Sequence, residues 1–359
     1  MGAAARTSDT FGARLGRIIH SQPGGGCTVD ETKDSSLAEV LGGNPLIAVG
    51  LPISLAIIMV GVGLTLRFRD FHNVVYYPAA LILGSIAQIL LMPAIAFALA
   101  YGLDVPSYIA VGLVVIAACP GGTTSNVFAF LAKGNLALSI LMTALASLIT
   151  VFTIPLFTNL ALGLFSEQSL ETPMQLPVQQ TVIMLVAIIF VPVLAGMGMR
   201  AWKPAVATRL EGAVSAFGMF VLVALVVLIV YQTRNHLALL LAEAGPAVIA
   251  LNLAGIALGF ATAKLAGRDH RDGLTLAIEM GIKNSMIGLT VTLTLLQSAE
   301  IAMPAAIYGL LMYFSAGLMV AHGRRYAGLQ AAPVAADIPL HVPEDVGFPD
   351  DHPEMLDKD

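Results

Sequence analysis

Long uninterrupted stretches of apolar residues are the feature that most constrains how this chain can fold. An α-helix rises roughly 1.5 Å per residue, so about 20 apolar residues cross the roughly 30 Å hydrocarbon core of a bilayer. A membrane β-barrel is excluded because the stretches are continuous rather than alternating in polarity. Since only 11% of residues are charged, against about 25% in soluble domains, we predict an all-α polytopic membrane protein. Its nine predicted helices lie near residues 45–66, 73–101, 106–132, 135–164, 177–199, 210–232, 246–264, 272–297 and 302–322.

Polar segments flank the predicted membrane domain of residues 45–326 on both sides. Residues 1–44 are rich in polar residues and lack the apolar stretch of roughly 7–15 residues that a secretory signal needs. Residues 327–359 contain eight acidic residues and Lys358, a composition that cannot bury a core. We expect two disordered tails, both too short and too poor in apolar residues to form a soluble receptor or scaffold domain.

Positive charges in the short loops predict the orientation, because Lys and Arg resist translocation whereas Asp and Glu have little influence. Eleven loop cations fall on one side of the nine predicted helices, and only Arg234 falls on the other. The richer side is expected to be cytoplasmic, which places the C-terminus inside and the N-terminus outside the cell (inner) membrane. The eleven cations are Arg67, Arg69, Lys133, Arg200, Lys203, Arg209, Lys264, Arg268, Arg271, Arg324 and Arg325.

The third predicted helix contains residues that a membrane helix normally avoids. Its middle, residues 119–126, reads CPGGTTSN. The proline lacks an amide donor, the two glycines loosen the backbone, and four polar residues follow at mid-bilayer depth. Taken alone, this stretch also fits a tolerated proline kink whose hydroxyls bond back to their own helix.

The eighth predicted helix has a similar interruption. Glu279, Lys283 and Asn284 surround Gly281 near its centre. Each ionisable side chain at this depth costs about 2.5–3.5 kcal/mol even on lenient insertion scales. Glu279 and Lys283 are therefore expected either to have a function or to pair with each other.

The two interruptions lie five helices apart, so the second helix crosses the membrane in the opposite direction to the first. This spacing predicts an inverted repeat, in which the first four helices match the last four and the fifth connects them. In secondary transporters of this plan, paired discontinuous helices cross at the midplane. Their half-helix N-termini attract anionic groups and their unwound carbonyls hold the coupling cation. The sequence therefore predicts a transporter of an anion.

Four motifs resemble the bile acid:sodium symporter family, including its bacterial members. They are GVGLTLRFRDF (61–71), AQILLMP (87–93), CPGGTTSNVFAFLAKGNLALSILMTAL (119–145) and EMGIKNS (279–285). The resemblance covers roughly residues 45–326, and its third motif is long and specific. It implies the nine-helix form of the family, with two broken helices that cross in front of two sodium ions. The implied panel domain is 45–66 and 177–232, and the implied core domain is 73–164 and 246–322.

The resemblance also implies a first Na⁺ site built from five side chains. Their oxygen-only character suits a hard cation. Independently of the resemblance, Ser139 and Thr143 are four residues apart and face the same side of one helix. Packed Ser and Thr are common in membrane helices, so a nearby carboxylate is what favours ion binding here. The five residues are Ser125, Asn126, Ser139, Thr143 and Glu279.

A second Na⁺ site is implied at Gln88 and at the backbone carbonyls of Glu279, Met280 and Ile282. In the family a further glutamine completes this site, and here that position is Lys283. A lysine ammonium has three donors and no acceptor, so it cannot ligate Na⁺ and repels it.

Three interpretations of Lys283 stay open. In the first, which we favour, the ammonium replaces the second Na⁺, pairs with Glu279 and bonds to Gln88, leaving one sodium per cycle. In the second, the lysine releases a proton during the cycle, which makes transport proton-linked. In the third, the side chain faces an aqueous cavity and coupling is altered or lost.

Thr123, Thr124 and Asn284 lie where the two helices break, and the matched family positions contact small carboxylates. Since the core stretches contain no dedicated arginine, the anion would be held by helix dipoles, hydroxyls and amides. We therefore predict a sodium-coupled symporter of a small organic carboxylate that works by alternating access in a lipid bilayer. Substrates across the family include bile acids, pantoate, pyruvate and other oxo acids, and the sequence does not choose among them.

Other functional classes fit less well. The seven histidines lie in tails, loops and helix ends, and Cys119 has no histidine at its depth, so an enzyme is not expected. A cation/proton antiporter using Glu279 and Lys283 is the stronger rival, because such proteins share the crossed-helix plan. The chain lacks their usual pair of adjacent aspartates. No basic cluster suggests nucleic acid, and no obligatory protein partner is evident.

Overall fold

The structure is a computed structural model that describes residues 45–67, 78–166, 176–233 and 237–331. Every regular element in these ranges is helical, which confirms the predicted all-α class. The helices, in the labels used below, are α1 (Pro45–Thr65), α2 (Pro78–Gly102), α3 (Ser107–Ala118), α4 (Thr123–Leu131), α5 (Leu136–Ser166), α6 (Val178–Trp202), α7 (Pro204–Thr233), α8 (Leu237–Leu265), α9 (His270–Gly281), α10 (Ser285–Leu295) and α11 (Ala299–Ala331).

Six helices in the described ranges are long and apolar enough to cross a membrane. They are α2, α5, α6, α7, α8 and α11, and shorter apolar helices occur in α1, α3 and α10. The prediction of nine passes therefore stays a prediction. The N-terminal tail lies outside the described residues. Helix α11 continues to Ala331, so the predicted tail boundary at residue 326 falls inside a helix.

Two long helices contain a π-helical turn, and in each a proline follows that turn. In α2 the turn spans Ala87–Leu91 and precedes Pro93, and in α6 it spans Val186–Phe190 and precedes Pro192. A proline ring clashes with the carbonyl four residues earlier, and that carbonyl lies inside the π turn in both helices. The wider turn accommodates the clash and, in α2, sets the position of Gln88.

Both predicted interruptions are breaks in the structure. Helix α3 ends at Ala118, and Cys119 takes extended backbone angles before α4 begins. Helix α9 ends at Gly281, and Ile282 is likewise extended before α10 begins. The third predicted helix is therefore broken at this point and not merely kinked by its proline.

Small residues allow close helix packing around these breaks. Helix α1 packs against α6 and α7, and a methyl group added at Gly63 would overlap the carbonyl oxygen of Val193 in α6. Helix α8 packs against α9, where a methyl group at Gly259 would overlap the backbone of Ala277. Such close approach of backbones is the usual way in which membrane helices pack, and it brings the two broken helices into the centre of the bundle.

Candidate functional site

The two unwound segments meet side by side. Gly121 and Lys283 form an antiparallel backbone bridge, and the amide of Asn284 donates to the carbonyl of Pro120 at 2.8 Å. The Asn284 side chain caps α10 by accepting a hydrogen bond from the amide of Ile287 at 3.3 Å. These bonds satisfy backbone groups that the breaks release inside the bundle.

The carbonyl of Gly281, at the end of α9, is held by two side chains that sequence reasoning missed. Asn252 Nδ2 donates to it at 2.8 Å and Tyr308 Oη donates to it at 2.9 Å. Both residues are buried. No local pattern marks either one, because they reach the break from α8 and α11, which are distant in sequence.

Glu279 lies in the last turns of α9, fully buried, and accepts hydrogen bonds from three hydroxyl groups. Ser125 Oγ lies 2.6 Å from one carboxylate oxygen, and Ser139 Oγ lies 3.1 Å from the same oxygen. Thr143 Oγ1 lies 2.6 Å from the other oxygen. The structure thus brings together residues of α4, α5 and α9 around one carboxylate.

Asn126 completes this group, since its Oδ1 lies 2.8 Å from Ser139 Oγ and 3.4 Å from Thr143 Oγ1. All five side chains assigned to the first cation site therefore form one cluster. We call Ser125, Asn126, Ser139, Thr143 and Glu279 the oxygen cluster.

The oxygen cluster contains more acceptors than protons. Ser125 Oγ contacts both Glu279 and the carbonyl of Gly122, at 2.6 Å each, while Ser139 and Thr143 each contact both Glu279 and Asn126. A hydroxyl has one proton, so each can donate to only one of its two neighbours at a time. A buried set of oxygens with this shortage of protons fits a hard cation, which accepts several oxygen ligands at once.

Gly121 lies against the oxygen cluster from the opposite broken helix. A methyl group added at this residue would overlap Glu279 Oε1. Sequence reasoning treated this glycine as a source of backbone freedom and missed its steric role. The crossing therefore depends on a residue without a side chain at this position.

Lys283 and Gln88 differ from what the sequence predicted. Both are buried, and within the described residues Lys283 Nζ and both polar atoms of Gln88 have no hydrogen-bond partner. The predicted hydrogen bonds from Lys283 to Gln88 and Glu279 are therefore not formed in this structure, and the charge pairing of Lys283 with Glu279 stays a prediction. Residues four apart are neighbours on an intact helix, and the break after Gly281 interrupts that geometry between Glu279 and Lys283. Met280 lies within α9 and Ile282 just beyond it, and both are buried.

A cavity opens on the other side of the crossing. The three predicted substrate residues, Thr123, Thr124 and Asn284, all line it, together with Lys283. Its remaining wall is mostly apolar and comes from α1, α7, α10 and α11, with the side chains Ile58, Val214, Leu222, Met286, Met312 and Tyr313. The cavity therefore has a polar floor made of the two breaks and an apolar wall.

Comparison with known proteins identifies the family. The sequence profile of the Sodium Bile acid symporter family matches residues 52–239. This chain belongs to that family. The sodium bile acid symporter family is one of sodium-coupled transporters, not enzymes, so the resemblance and the exclusion of an enzyme are confirmed. With six long apolar helices in the described ranges, this family member is a multi-pass membrane protein.

Relatives within the family come from bacteria, plants and animals. An uncharacterized sodium-dependent transporter, YocS, of Bacillus subtilis (strain 168) is 35% identical over 272 residues, which are 76% of this chain and 82% of the relative. A probable chloroplastic sodium/metabolite cotransporter, BASS1, of Oryza sativa subsp. japonica is 30% identical over 259 residues, covering 71% of this chain and 61% of the relative. The ileal sodium/bile acid cotransporter of Homo sapiens is 28% identical over 271 residues, covering 75% and 74%.

Proposed function

We propose that this protein is a sodium-coupled symporter of a small organic carboxylate anion. The observation that carries the proposal is the oxygen cluster, a buried carboxylate whose three hydroxyl neighbours have fewer protons than acceptors. Na⁺ would be held by Ser125, Asn126, Ser139, Thr143 and Glu279. The names of relatives, which describe sodium-dependent transport of metabolites or bile acids, support the same function.

The substrate would bind in the cavity at the crossing. Thr123, Thr124 and Asn284 offer hydroxyl, amide and backbone donors for a carboxylate. The apolar wall suits the carbon chain of a metabolite, and the limited polar surface favours a substrate with few polar groups beyond the carboxylate.

Ion and substrate would share one structural element. The segment from Gly121 to Asn126 contributes both Thr123 and Thr124 at the cavity and Ser125 and Asn126 at the oxygen cluster. A cation that orders this segment therefore orders the substrate site, because the two sites lie on successive residues of α4. Coupling of this kind acts equally in both directions.

Alternating access would follow from movement between two groups of helices. Helices α1, α6 and α7 pack against one another, which supports a panel domain of residues 45–66 and 177–232. The remaining helices contain both breaks, which supports a core domain of residues 73–164 and 246–322. Because the cavity lies where α1 and α7 face the breaks, motion of one group against the other would open it to alternate sides of the cell (inner) membrane.

A single Na⁺ per cycle is the stoichiometry that we propose, since Lys283 occupies the position of a second-site ligand. Its ammonium needs neither Glu279 nor Gln88 as a partner to exclude Na⁺, because a fixed positive charge repels the ion. A proton-linked carboxylate transporter or a cation/proton antiporter is the second candidate. It is favoured by the buried and unpartnered Lys283 Nζ and Gln88 side chain in the described structure.

Uptake by proteoliposomes tests the proposal. An inward Na⁺ gradient is expected to drive accumulation of at least one member of a panel of small carboxylates, and Glu279→Gln is expected to abolish that accumulation. Thr158→Val is a control, because Thr158 is buried like Glu279 but lies in α5 outside the oxygen cluster. Accumulation driven by a proton gradient and indifferent to Na⁺ would instead indicate the proton-linked carboxylate transporter.

A further inference from the structure

A second, basic cavity lies at the end of the bundle where α4, α5, α9 and α11 meet. Lys133, His270 and Arg271 line it, with Phe130, Leu136 and Tyr326 as its apolar and aromatic surface. The loop cations predict that this end is cytoplasmic. The cavity is separate from the substrate cavity and shares no residue with it.

Two carboxylates lie near the basic cavity, and among the described residues neither is paired with Lys133 or Arg271. Asp272 is buried and accepts from Arg268 Nε at 2.6 Å and from Asn135 Nδ2 at 2.8 Å. Asp269 caps α9 by accepting from the amide of Asp272 at 2.9 Å. In the part of the chain that the structure describes, Lys133 and Arg271 form no ion pair. Lys133 is exposed and its backbone is left-handed, with φ of 63°.

Two helices begin at the cavity. Helix α5 begins at Leu136 and α9 begins at His270, and both residues line the cavity. The N-terminal turn of a helix carries roughly half a positive charge, which the capping carboxylate of Asp269 offsets in α9 but not in α5. The cavity thus combines two side-chain cations and the N-terminus of α5 with an exposed apolar surface, of which Phe130 is 61% exposed. An acidic and partly apolar partner fits this combination.

The chain itself contains such a partner. Residues 332–359 include eight acidic residues and one lysine, Lys358, and apolar residues such as Ile338 and Phe348 stand among them. This segment follows α11 directly, and Tyr326 of the same helix lines the cavity. Six extended residues, from Ala331 to Asp337, span about 20 Å. The rise along α11 from Tyr326 to Ala331 is shorter, at about 1.5 Å per residue. Asp337 can therefore fold back along α11 and reach the cavity at Tyr326.

We propose that the acidic segment 332–359 docks into the basic cavity. The tether places its carboxylates at an effective concentration in the millimolar range, and the ionic attraction acts over a Debye length of about 8–10 Å. Docking joins the end of α11 to the loop at Lys133 and to the first turn of α9. Because α9 carries Glu279, the docked segment restrains one of the two broken helices. It therefore slows the movement that would open the substrate cavity to alternate sides of the membrane.

Zero-length carbodiimide coupling of the full-length protein tests the docking without any transport measurement. The reagent joins an amine to a carboxylate only when the two are in contact, and peptide mapping locates the product. Lys133 is expected to couple to carboxylates of residues 337–359 about ten-fold or more above Lys203, an exposed lysine outside the cavity. The coupling is expected to fall at about 1 M salt, where the Debye length is about 3 Å.

Two full-length variants sharpen the test. Docking by ionic attraction is expected to make the thermal unfolding temperature depend on salt concentration. Lys133→Arg keeps the charge but removes the amine, so the coupling product at this residue disappears while the salt dependence of unfolding stays. Changing the eight tail acids to Asn and Gln removes the product and the salt dependence together, and is expected to raise the initial uptake rate several-fold.

Three outcomes would overturn the docking. Equal coupling at Lys133 and Lys203 would show random encounter. A product found only between two molecules would assign the cavity to a second copy of the chain. Loss of coupling in phosphatidylglycerol vesicles but not in phosphatidylcholine vesicles would assign it to an anionic lipid headgroup. Failure of Na⁺-driven uptake would leave the coupling pattern unaffected, so the two proposals are tested separately.

Discussion

The side-chain oxygens of the oxygen cluster, and the few protons they share, limit what the centre of this bundle can bind. Ser139 Oγ lies 3.1 Å from Glu279 and 2.8 Å from Asn126, and its one proton can serve only one of them. In the proposed Na⁺ site, a bound cation would let Ser139 and Thr143 turn their lone pairs inward and would relieve the surplus of acceptors. The side chains that form hydrogen bonds in this structure would then be the ones that coordinate the ion.

Removing hydroxyls from the oxygen cluster is the first prediction. Thr143→Val keeps the shape of the side chain but leaves Glu279 Oε1 without its 2.6 Å donor. We expect Na⁺ affinity to fall about ten-fold or more, equivalent to roughly 1.4 kcal/mol or more. Isothermal titration with Na⁺ measures this effect. Thr150→Val is the control, because Thr150 is buried on the same helix and its hydroxyl bonds, among the described residues, only to the carbonyl of Ser147. Equal losses in the two variants would contradict the prediction.

Lys283→Gln is the second prediction at this scale. Glutamine adds an acceptor where lysine has none, and it would lie between the carbonyl of Ile282 and the start of α10. We expect the variant to bind a second Na⁺, seen as a steeper dependence of uptake on Na⁺ concentration and a larger charge moved per substrate. Unchanged Na⁺ dependence would count against the view that Lys283 replaces the second ion.

At the scale of the element, the crossing depends on backbone contact between two broken helices. The antiparallel bridge between Gly121 and Lys283 and the bond from Asn284 to Pro120 join the segments directly. Extended backbone at Cys119 and Ile282 leaves polar groups free at the depth where lipid offers no partner. Because the two broken segments bond to each other, these backbone groups have partners inside the bundle.

Gly121→Ala is the prediction that tests this contact. The added methyl group overlaps Glu279 Oε1, whereas in Gly122→Ala the nearest neighbour of the methyl is Thr124 Oγ1 at 3.4 Å. Overpacking of this kind destabilises a protein by about 1–3 kcal/mol. We expect Gly121→Ala to lower thermal stability and to abolish Na⁺-induced stabilisation, with Gly122→Ala close to the parent protein. Similar behaviour of the two variants would argue against the close approach.

Tyr308→Phe tests how the end of α9 is held. The variant leaves the carbonyl of Gly281 with Asn252 as its remaining side-chain donor. Hydrogen bonds between membrane helices contribute about 0.6 kcal/mol on average, so we expect a small loss of stability. We expect a larger loss of Na⁺ affinity, because the carboxylate of Glu279 lies on the same last turns. A double-mutant cycle with Asn252→Leu measures the coupling between the two donors; strict additivity would mean that they act separately.

At the scale of the whole molecule, ion and substrate should stabilise one another. A ligand present at about 100 times its dissociation constant stabilises the folded state by about 2.7 kcal/mol. We expect a transported carboxylate to raise the unfolding temperature more in NaCl than in choline chloride, and Na⁺ to bind more tightly when the carboxylate is present, by the same factor. Independent shifts would mean that α4 does not couple the two sites. Competition between Na⁺ and protons without any effect of carboxylate would indicate an antiporter.

Hydropathy determined the helical class, and the loop cations determined the predicted orientation. Proline, glycine and polar residues inside two apolar stretches marked the places where helices break, because lipid offers polar groups no partner and so restricts which sequences can cross it. The spacing of Ser139 and Thr143 likewise follows from the helical repeat. Tertiary structure alone decided which distant side chains meet the breaks. Tyr308 and Asn252 reach Gly281 from other helices, Gly121 leaves room for Glu279, and Lys283 Nζ forms no hydrogen bond with the described residues around it. These contacts depend on how helices remote in sequence pack together, and no local pattern of residues encodes that arrangement.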